Sequence, residues 1–323
     1  MTGATGKVGN AIAKALAARG DEVRALVRDP ARAAAVLPAG VEPVRGDVTD
    51  YDSVLAAAEG CELVFNAMGL PEQWLADPGE FERVNAVGSE TVVRAAARAG
   101  ARRVVHTSTI DVFHAEDGAR FDESEVADYP KGTAYERSKQ HADRLVLAAA
   151  ARERIEVVLA NPAAVYGPGP EGGASIERDV LEPVVNGRRV AAPALPPGGF
   201  GVVFNEGAGA GHILAAERGR PGERYILCDT HATLRELAEA AVRIAGRGRV
   251  PPTLPVVAAR AMAAVGEPIA RMTGKPPLMP KGQLHFLLWN AAPDSSKAQR
   301  ELGWEPTPLD EGLRRTLASM KLL

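Results

Sequence analysis

Hydrophobic positions along the first half of the chain follow two different periods. Short apolar runs rich in β-forming residues predict strands at 22–28, 41–44, 61–67, 103–107 and 156–160. Apolar residues three and four positions apart predict helices between them, at 31–37, 50–58, 80–99 and 133–152. Strands that alternate with helices of this length form parallel βαβ units. We therefore predict an α/β fold built on a doubly wound parallel sheet, which binds ligands beyond the carboxyl ends of its strands.

A glycine-rich turn opens the chain, with glycines at 3, 6 and 9, and an amphipathic helix follows it. Such a turn lets the backbone approach a pyrophosphate, and the helix N-terminus supplies N–H donors and a positive dipole end. We predict a Rossmann-type dinucleotide site whose turn residues are Gly3, Thr5, Gly6, Lys7 and Val8.

The strand that normally precedes such a turn is missing, because the chain begins at the turn itself. Either the start codon is assigned too far downstream, or the sheet lacks its first strand; we favour the first explanation. If the strand is absent, the buried hydrogen bonds of a central strand are lost, and we expect low stability.

The amino-acid composition of the chain changes after Gly167, where prolines and glycines become frequent. A strand at 224–228 then leads into a helix that starts with a capping box, Thr233 and Glu236. We predict a dinucleotide-binding domain at 1–168, to which 202–245 returns, and a smaller C-terminal substrate-binding lobe made of 169–201 and 246–323.

Composition narrows the classes of function. The 323 residues are 46% hydrophobic and 24% charged, with a net charge of −3, so the sequence does not favour nucleic acid as a partner. Cys61 and Cys228 lie far apart, which argues against a disulfide framework and for a reducing cytoplasm. Neither a bilayer-length apolar stretch nor a signal peptide occurs, and the histidines lack metal-ligand spacing. We expect a cytoplasmic protein that binds a small molecule, not a membrane or a metal.

The tip of the strand at 22–28 bears on which nicotinamide cofactor is bound. An acidic residue there accepts from the ribose of NAD, whereas NADP requires a cation for its 2′-phosphate. Arg28 can bind a phosphate through two parallel hydrogen bonds, although Asp29 follows it directly. We favour NADP over NAD. Asp47 and Val48 follow the next strand, where they are placed to border the adenine.

A tyrosine and a lysine four residues apart, Tyr135 and Lys139, lie in the predicted helix 133–152 and share one face of it. A nearby ammonium favours the phenolate form of a tyrosine, which can then exchange a proton with a carbonyl or alcohol oxygen. Hydroxyl residues at 107–109 end the strand before this helix, where one of them can hold the substrate oxygen.

These motifs and several others follow one another along the chain in an order that is characteristic of one protein family. Along the chain occur TGATGKVG (2–9), Asp47-Val48, Asn66 to Gly69, Asn85, Thr107-Ser108-Thr109, Tyr135-x-x-x-Lys139 and Asn161 to Pro168. The tail adds Asp294 to Ala298, Glu301 to Trp304 and Leu309 to Leu313. Over nearly its whole length the chain resembles the extended short-chain dehydrogenase/reductases, or NAD-dependent epimerase/dehydratase family. The stretch VRALVRDP (23–30) looks most like the dihydroflavonol-reductase branch.

This resemblance implies an NADP-dependent oxidoreductase that interconverts a ketone or aldehyde and an alcohol. It implies that Tyr135, Lys139 and Thr109 are catalytic, with Ser108 as the fallback hydroxyl, and that Arg28 binds the NADP phosphate. The further cofactor contacts that it implies are Asp47, Val48, Ala67, Met68, Gly69, Thr107, Ser108, Asn161, Pro162 and Ala164. Relatives commonly pair the helices equivalent to 80–99 and 133–152 across a dimer axis, so a homodimer is also expected.

Two departures from the family pattern bear on the reaction. Sugar-nucleotide 4,6-dehydratases carry an Asp-Glu pair just after the catalytic hydroxyl, and Ile110 and Asp111 occupy those positions here, so such a dehydration is not expected. Glu206-Gly207-Ala208 replaces the usual Asp-Asp-Val, which nothing in the sequence explains. A nucleotide-sugar epimerase with tightly held NAD and a non-catalytic NADP-binding regulator remain as alternatives, although regulators of that kind typically lose the Tyr-Lys pair.

Overall fold

The computed structural model describes residues 1–71, 74–170, 175–187, 194–273, 275, 277 and 279–323. Its strands are β1 (Val23–Val27), β2 (Val41–Arg45), β3 (Leu63–Asn66), β4 (Arg103–Thr107), β5 (Arg120–Phe121), β6 (Glu156–Pro162), β7 (Ala164–Tyr166), β8 (Gly199–Phe204), β9 (Arg224–Leu227), β10 (Thr230–Thr233) and β11 (Ala292–Pro293). Its α-helices are α1 (Lys7–Ala18), α2 (Pro30–Ala33), α3 (Tyr51–Ala58), α4 (Gly79–Phe81), α5 (Gly88–Arg98), α6 (Ala134–Glu153), α7 (Glu182–Val185), α8 (Asn205–Arg218), α9 (Leu234–Ala245), α10 (Val256–Thr273), α11 (Lys281–Trp289) and α12 (Leu309–Ser319).

A parallel sheet forms the centre of the molecule, which confirms the predicted α/β fold. One part of it pairs β2 with β1, and the other has the order β3-β4-β6-β9, with every pairing parallel. The helix predicted at 31–37 is α-helical only over Pro30–Ala33, and the one predicted at 80–99 contains a π-helical stretch at Glu82–Val87. No helix in the described ranges is both long enough and apolar enough to cross a bilayer.

The first two residues join the two parts of the sheet. Thr2 bridges Leu26 of β1 and Asn66 of β3, both in the parallel sense. The Thr2 backbone N–H donates to the Phe65 carbonyl at 2.9 Å, and the Leu26 N–H donates to the Met1 carbonyl at 2.9 Å. Met1 and Thr2 therefore lie in the sheet between β1 and β3, at the position where the first strand is expected.

Helices cover both faces of this sheet. On one face α1 packs against α8, and on the other α3 and α6 flank α5. The first face buries, among others, Ile12, Val105, Val158 and Ile213. The second buries Val54, Val92, Val104 and Val146. These cores hold the carboxyl ends of the strands in fixed positions, which is what a ligand site at that edge requires.

A second, smaller sheet carries much of the remaining chain. In it β8 pairs with β7 in the parallel sense and with β10 in the antiparallel sense. Helices α7, α9 and α12 pack together around a core that includes Leu181, Val202, Leu237 and Leu313. Beside it β5 pairs with β11, and α10 packs on α11.

The segment 202–245, expected to return to the dinucleotide-binding part, is divided between the two sheets. Helix α8 packs on the main sheet, and strand β9 is part of it. Strands β8 and β10 form part of the smaller sheet, and α9 packs in the core beside that sheet. Helix α9 begins at the predicted capping box, in which Thr233 and Glu236 each bond the other's backbone N–H.

Replacing Thr2 with valine is expected to destabilise the protein. The Thr2 hydroxyl donates to Asn66 Oδ1 at 2.7 Å and accepts from the Met68 N–H at 3.2 Å. Since Asn66 is fully buried, Thr2→Val leaves that oxygen without this donor and should lower the free energy of unfolding by about 1–3 kcal/mol. Urea unfolding measures this change. Thr2→Ser keeps the hydroxyl and is the control; equal stability of the two variants would contradict the role given to this bond.

Candidate active site

The glycine-rich turn packs directly against the end of β3. Gly3 has a φ of +71°, and a Cβ atom built on it would lie 2.3 Å from the Ala67 carbonyl oxygen. A Cβ on Gly9 would lie 2.2 Å from the Gly3 carbonyl oxygen. Only glycine allows both approaches. The turn therefore brings the N-terminus of α1 next to Ala67 and Met68, while Thr5 and Gly6 remain exposed to a ligand.

Asn85 fixes the loop that follows β3. Its Oδ1 accepts from the Leu70 N–H at 2.7 Å, and its Nδ2 donates to the Leu70 carbonyl at 3.1 Å and to Ser138 Oγ at 3.1 Å. A Cβ on Gly69 would lie 3.9 Å from the Lys139 ammonium. The loop predicted to line the cofactor is therefore held against helix α6.

Helix α6 begins just before the tyrosine. Thr133 is its N-cap and forms a capping box with Glu136, so the helix start is determined by sequence. Tyr135 lies in the first turn, half-buried, with its ring edge-on to Phe81 at 6.0 Å between centroids. Lys139 lies one turn later on the same face.

The Lys139 ammonium is buried and points at the end of β4. It donates to the Thr107 carbonyl oxygen at 2.7 Å, and its side chain is among the buried charged groups of the protein. Burial lowers its pKa to about 8, against the opposing effect of the Asp143 and Asp111 carboxylates. A cation that is kept partly charged in an enclosed site can stabilise a neighbouring phenolate or bind a ribose hydroxyl.

The three neighbouring hydroxyls predicted at the end of β4 have different surroundings. Thr107 Oγ1 hydrogen-bonds His212 Nε2 at 2.9 Å, in the buried interior. Ser108 Oγ donates to Asp143 at 2.8 Å, also in the interior. Thr109 Oγ1 donates to Asp111 Oδ2 at 2.9 Å. Thr107 and Ser108 therefore bond residues of helices α8 and α6 inside the protein, whereas Thr109 bonds a residue of its own turn.

A buried polar network lies beneath the site, and no sequence pattern indicated it. Burial alone would raise the pKa of Asp143, but Arg224 and His106 outweigh it and hold that pKa at about 2. Arg224 donates to Asp143 Oδ2, while His106 Nε2 lies 3.5 Å from Oδ1. The Asn66 amide donates to His106 Nδ1 at 3.1 Å. This network links helix α6 to strands β3, β4 and β9.

Asp111, two residues after Thr109, also has electrostatic surroundings that the sequence did not indicate. It lies in the 3-10 turn at Ile110–Val112, and burial together with the charge of Glu136 raises its pKa to about 7. Lys131 and Lys139 act in the opposite direction. This carboxyl is therefore only partly ionised near neutral pH, unlike an ordinary surface aspartate.

Two arginines, Arg28 and Arg83, lie close enough to Asp47 to affect its pKa. Arg28 is exposed just after β1, and Arg45 ends β2, paired in register with Val27. Burial would raise the pKa of Asp47, but hydrogen bonds from Thr49 and the charges of Arg28 and Arg83 lower it. Arg83 comes from the helix that precedes α5, and its approach to Asp47 could not be foreseen from sequence spacing.

The remaining predicted residues occupy varied positions. Val48 is buried beside Gly88, and Asn161 donates from Nδ2 to the Thr109 carbonyl at 2.9 Å. Pro162 ends β6 and Ala164 begins β7. The Lys7 ammonium donates to Glu177 Oε2 at 2.6 Å, with both side chains largely buried. Lys7 thus ties the glycine-rich turn to the segment that precedes α7, a use that its motif position did not suggest.

Known proteins share this sequence pattern. The model described as "NAD dependent epimerase/dehydratase family" matches residues 1–191. Sterol demethylase protein B of Methylococcus capsulatus is 33% identical over 311 residues, which cover 95% of this chain and 93% of that protein. A putative dihydroflavonol 4-reductase of Synechocystis sp. is 29% identical over 324 residues, covering 97% of this chain and 91% of the relative.

A solved structure shares the fold as well. The UDP-glucose 4-epimerase of Thermus thermophilus, in complex with NAD, matches with a TM-score of 0.77 over 99% of this chain and 97% of that chain, at 21% identity. Similarity at that level of identity establishes the fold alone, whereas the family model spans more than half of this chain. The chain therefore belongs to the NAD-dependent epimerase/dehydratase family, the extended short-chain dehydrogenase/reductases, and is an NAD(P)-dependent oxidoreductase.

Proposed function

We propose that this protein is an NADPH-dependent carbonyl reductase that interconverts an apolar ketone and the corresponding alcohol. The observation that carries the proposal is the buried Lys139 ammonium, 2.7 Å from the Thr107 carbonyl and one helical turn from Tyr135. A tyrosine beside such a cation is suited to proton exchange with a carbonyl oxygen.

The cofactor fits the residues at the turn. Gly3 and Gly9 let the backbone of the turn pack closely at the start of α1, and the first N–H groups of that helix are available donors for a pyrophosphate. Bound NADPH would supply the hydride. Gly69 and Lys139 lie together on the protein side of the predicted nicotinamide position, where the ammonium can bind the ribose.

The protein's own side chains perform the proton chemistry in this proposal. Thr109 hydrogen-bonds the substrate oxygen, since the Ser108 hydroxyl is already donated to Asp143. Tyr135 donates a proton to that oxygen as the alcohol forms, or accepts it in the reverse direction. Lys139 favours the phenolate that remains, and the Asp143 charge helps Lys139 to stay protonated despite its burial.

Two observations bear on the chemical class of the substrate. Phe81 packs edge-on against the Tyr135 ring, so an apolar side chain covers part of that ring. Two of the relatives are named a sterol demethylase protein and a putative dihydroflavonol 4-reductase, and both names refer to polycyclic molecules. A medium-sized cyclic ketone therefore agrees with the site.

The choice of NADPH rests on the arginines near the ribose position. Arg28 and Arg83 both act on Asp47, and Arg45 ends the strand beside Arg28. A 2′-phosphate placed among them is attracted by three positive charges, and a guanidinium can bind it through two hydrogen bonds. Asp29 follows Arg28, and its carboxylate caps α2 by accepting from the Arg32 N–H.

Replacing Tyr135 with phenylalanine is expected to lower kcat by about 10²–10⁴-fold, because the proton donor is lost. The assay follows NADPH oxidation with cyclohexanone, trans-2-decalone and 5α-androstan-3-one, and fluorescence titration checks that NADPH binding persists. Tyr51→Phe, on α3 against Arg94, is the matched control and should keep the wild-type rate. A Tyr135→Phe variant that reduces these ketones at the wild-type rate would refute the mechanism.

Replacing Arg28 with alanine is expected to weaken NADPH binding by about 10- to 100-fold, the loss of a charge-assisted hydrogen bond. Binding of NADH should change far less, because NADH has no 2′-phosphate. Fluorescence titration of both cofactors measures the difference. Arg98→Ala, an exposed arginine at the end of α5, is the control. Equal losses for both cofactors, or NAD retained by the purified protein, would contradict the NADP assignment and favour an epimerase.

A further inference from the structure

Helix α10 directs its larger apolar side chains away from the protein. Its inward face contains the buried residues Ala259, Ala263 and Ala270, and the first two pack in a small core with Met279 and Leu284. Its outer face consists of exposed residues at helical spacing, namely Val257, Ala261, Ala264, Val265, Pro268, Ile269 and Met272. An ordinary surface helix has the opposite arrangement, with its large apolar residues turned inward and polar residues turned to water.

The outer face of α10 forms a continuous apolar stripe along the helix. Val257 is 81% exposed and Met272 is 88% exposed, while Val265 and Ile269 between them are each more than half exposed. Single apolar residues on a surface need no explanation, but a contiguous group of them marks contact with another protein or with a membrane. The stripe therefore needs a partner that can cover it.

The segment that contains α10 differs in charge from the rest of the protein. Between residues 246 and 290 there are six basic residues and one acidic residue, so the segment has a formal charge of +5. The whole chain has a net charge of −3, and the remaining residues therefore carry −8. The basic residues are Arg247, Arg249, Arg260, Arg271, Lys275 and Lys281. Such an asymmetry favours an anionic partner for this part of the chain.

The acidic residue of this segment, Glu267, is already paired within the protein. Its Oε2 lies 3.4 Å from the Lys281 ammonium, and its Oε1 accepts from the Lys281 N–H at 3.2 Å. Arg260 on α10 and Lys275 just after it are exposed. Their positive charges are therefore available to an anionic group that approaches the outer face.

We propose that the outer face of α10 binds the surface of an anionic lipid bilayer. The apolar stripe would enter the boundary between headgroups and acyl chains, and Arg260 and Lys275 would face the lipid phosphates. A second copy of the chain fits less well, because it would bring two segments of charge +5 together. A nucleic acid would leave the apolar stripe in contact with water.

This mode of binding requires no segment that spans the membrane. The expectation from sequence that the protein binds no membrane rests on the absence of a bilayer-length apolar stretch, whereas a helix that lies in the interface is recognised by an apolar face and nearby basic residues. The membrane-binding proposal goes beyond the proposed function and does not depend on it.

The proposed membrane surface lies near the candidate active site. Helix α10 packs on α11, and His285 Nε2 of α11 lies 4.0 Å from Glu136 Oε1 of α6. Glu136 is the residue after Tyr135. A protein bound through α10 would therefore hold the start of α6 close to the bilayer, in which apolar ketones dissolve.

The test is flotation of the full-length protein with lipid vesicles. The vesicles contain phosphatidylcholine alone, or an equal mixture of phosphatidylcholine and phosphatidylglycerol. We expect the protein to float with the anionic vesicles, to bind the neutral ones more weakly, and to be released as salt screens the lipid charge. Absence of binding to the anionic vesicles at low salt would overturn the proposal.

An apolar variant combines Val257→Gln, Ile269→Gln and Met272→Gln. It should bind the anionic vesicles about 100-fold more weakly or less, because three side chains no longer gain from leaving water. The substituted side chains are exposed, so NADPH titration and the thermal unfolding midpoint should stay unchanged and show that the variant is folded.

The matched control for the apolar variant removes apolar residues that are exposed elsewhere on the protein. It combines Val36→Gln, Val87→Gln and Leu323→Gln. This control should bind the anionic vesicles as the wild-type protein does. Equal binding by the apolar variant and this control would remove the outer face of α10 as the membrane contact.

A charge variant combines Arg260→Gln with Lys275→Gln. It should bind the anionic vesicles about 10-fold more weakly or less, because each basic residue near such a surface adds to the attraction. Arg98→Gln with Arg314→Gln, two exposed arginines on other helices, is the control and should bind normally.

Two further results would contradict the assignment. Vesicle binding that the charge variant loses but the apolar variant keeps would indicate a basic patch that acts without the stripe. Sedimentation that shows a wild-type dimer and a monomeric apolar variant, without vesicle binding by either, would assign the outer face to a second copy of the chain.

Discussion

Burial of the Lys139 ammonium is the constraint on which the rest of the site depends. A buried cation is costly unless hydrogen bonds and opposite charges compensate for lost water. Here the Thr107 carbonyl supplies the hydrogen bond, and Asp143 and Asp111 supply the charge. Because these partners come from strand β4, helix α6 and the turn after β4, the position of the ammonium fixes three elements relative to one another.

The residues beneath Lys139 also need partners that compensate for their burial. Asp143 is itself buried, and it is stabilised by Arg224 and by the Ser108 hydroxyl. Its other neighbour, His106, is kept neutral, because burial lowers its pKa. Removing one member of such a network leaves another polar group unpaired, which costs more than the bond itself contributes. The interior network thus ties helix α6 to strands β4 and β9 beneath Lys139.

The two acids near Lys139 have opposite electrostatic settings. Asp143 has a pKa of about 2, because Arg224 and His106 outweigh its burial, whereas burial and Glu136 raise the pKa of Asp111 to about 7. The Asp143 carboxylate is therefore ionised at neutral pH, whereas Asp111 is only partly ionised there. Pairs of acids separated in this way commonly divide structural and chemical roles in enzymes.

The sequence by itself determined the alternation of strands and helices, the glycine-rich turn, the helix carrying Tyr135 and Lys139, and the family. Those features are local: period, turn chemistry and a capping box depend on residues a few positions apart. Only the tertiary structure decided which partner each hydroxyl of 107–109 bonds, that Lys7 pairs with Glu177, and that Thr2 bridges β1 and β3. The physical reason is that burial and charge partners are set by segments far apart in sequence, and no local pattern encodes them.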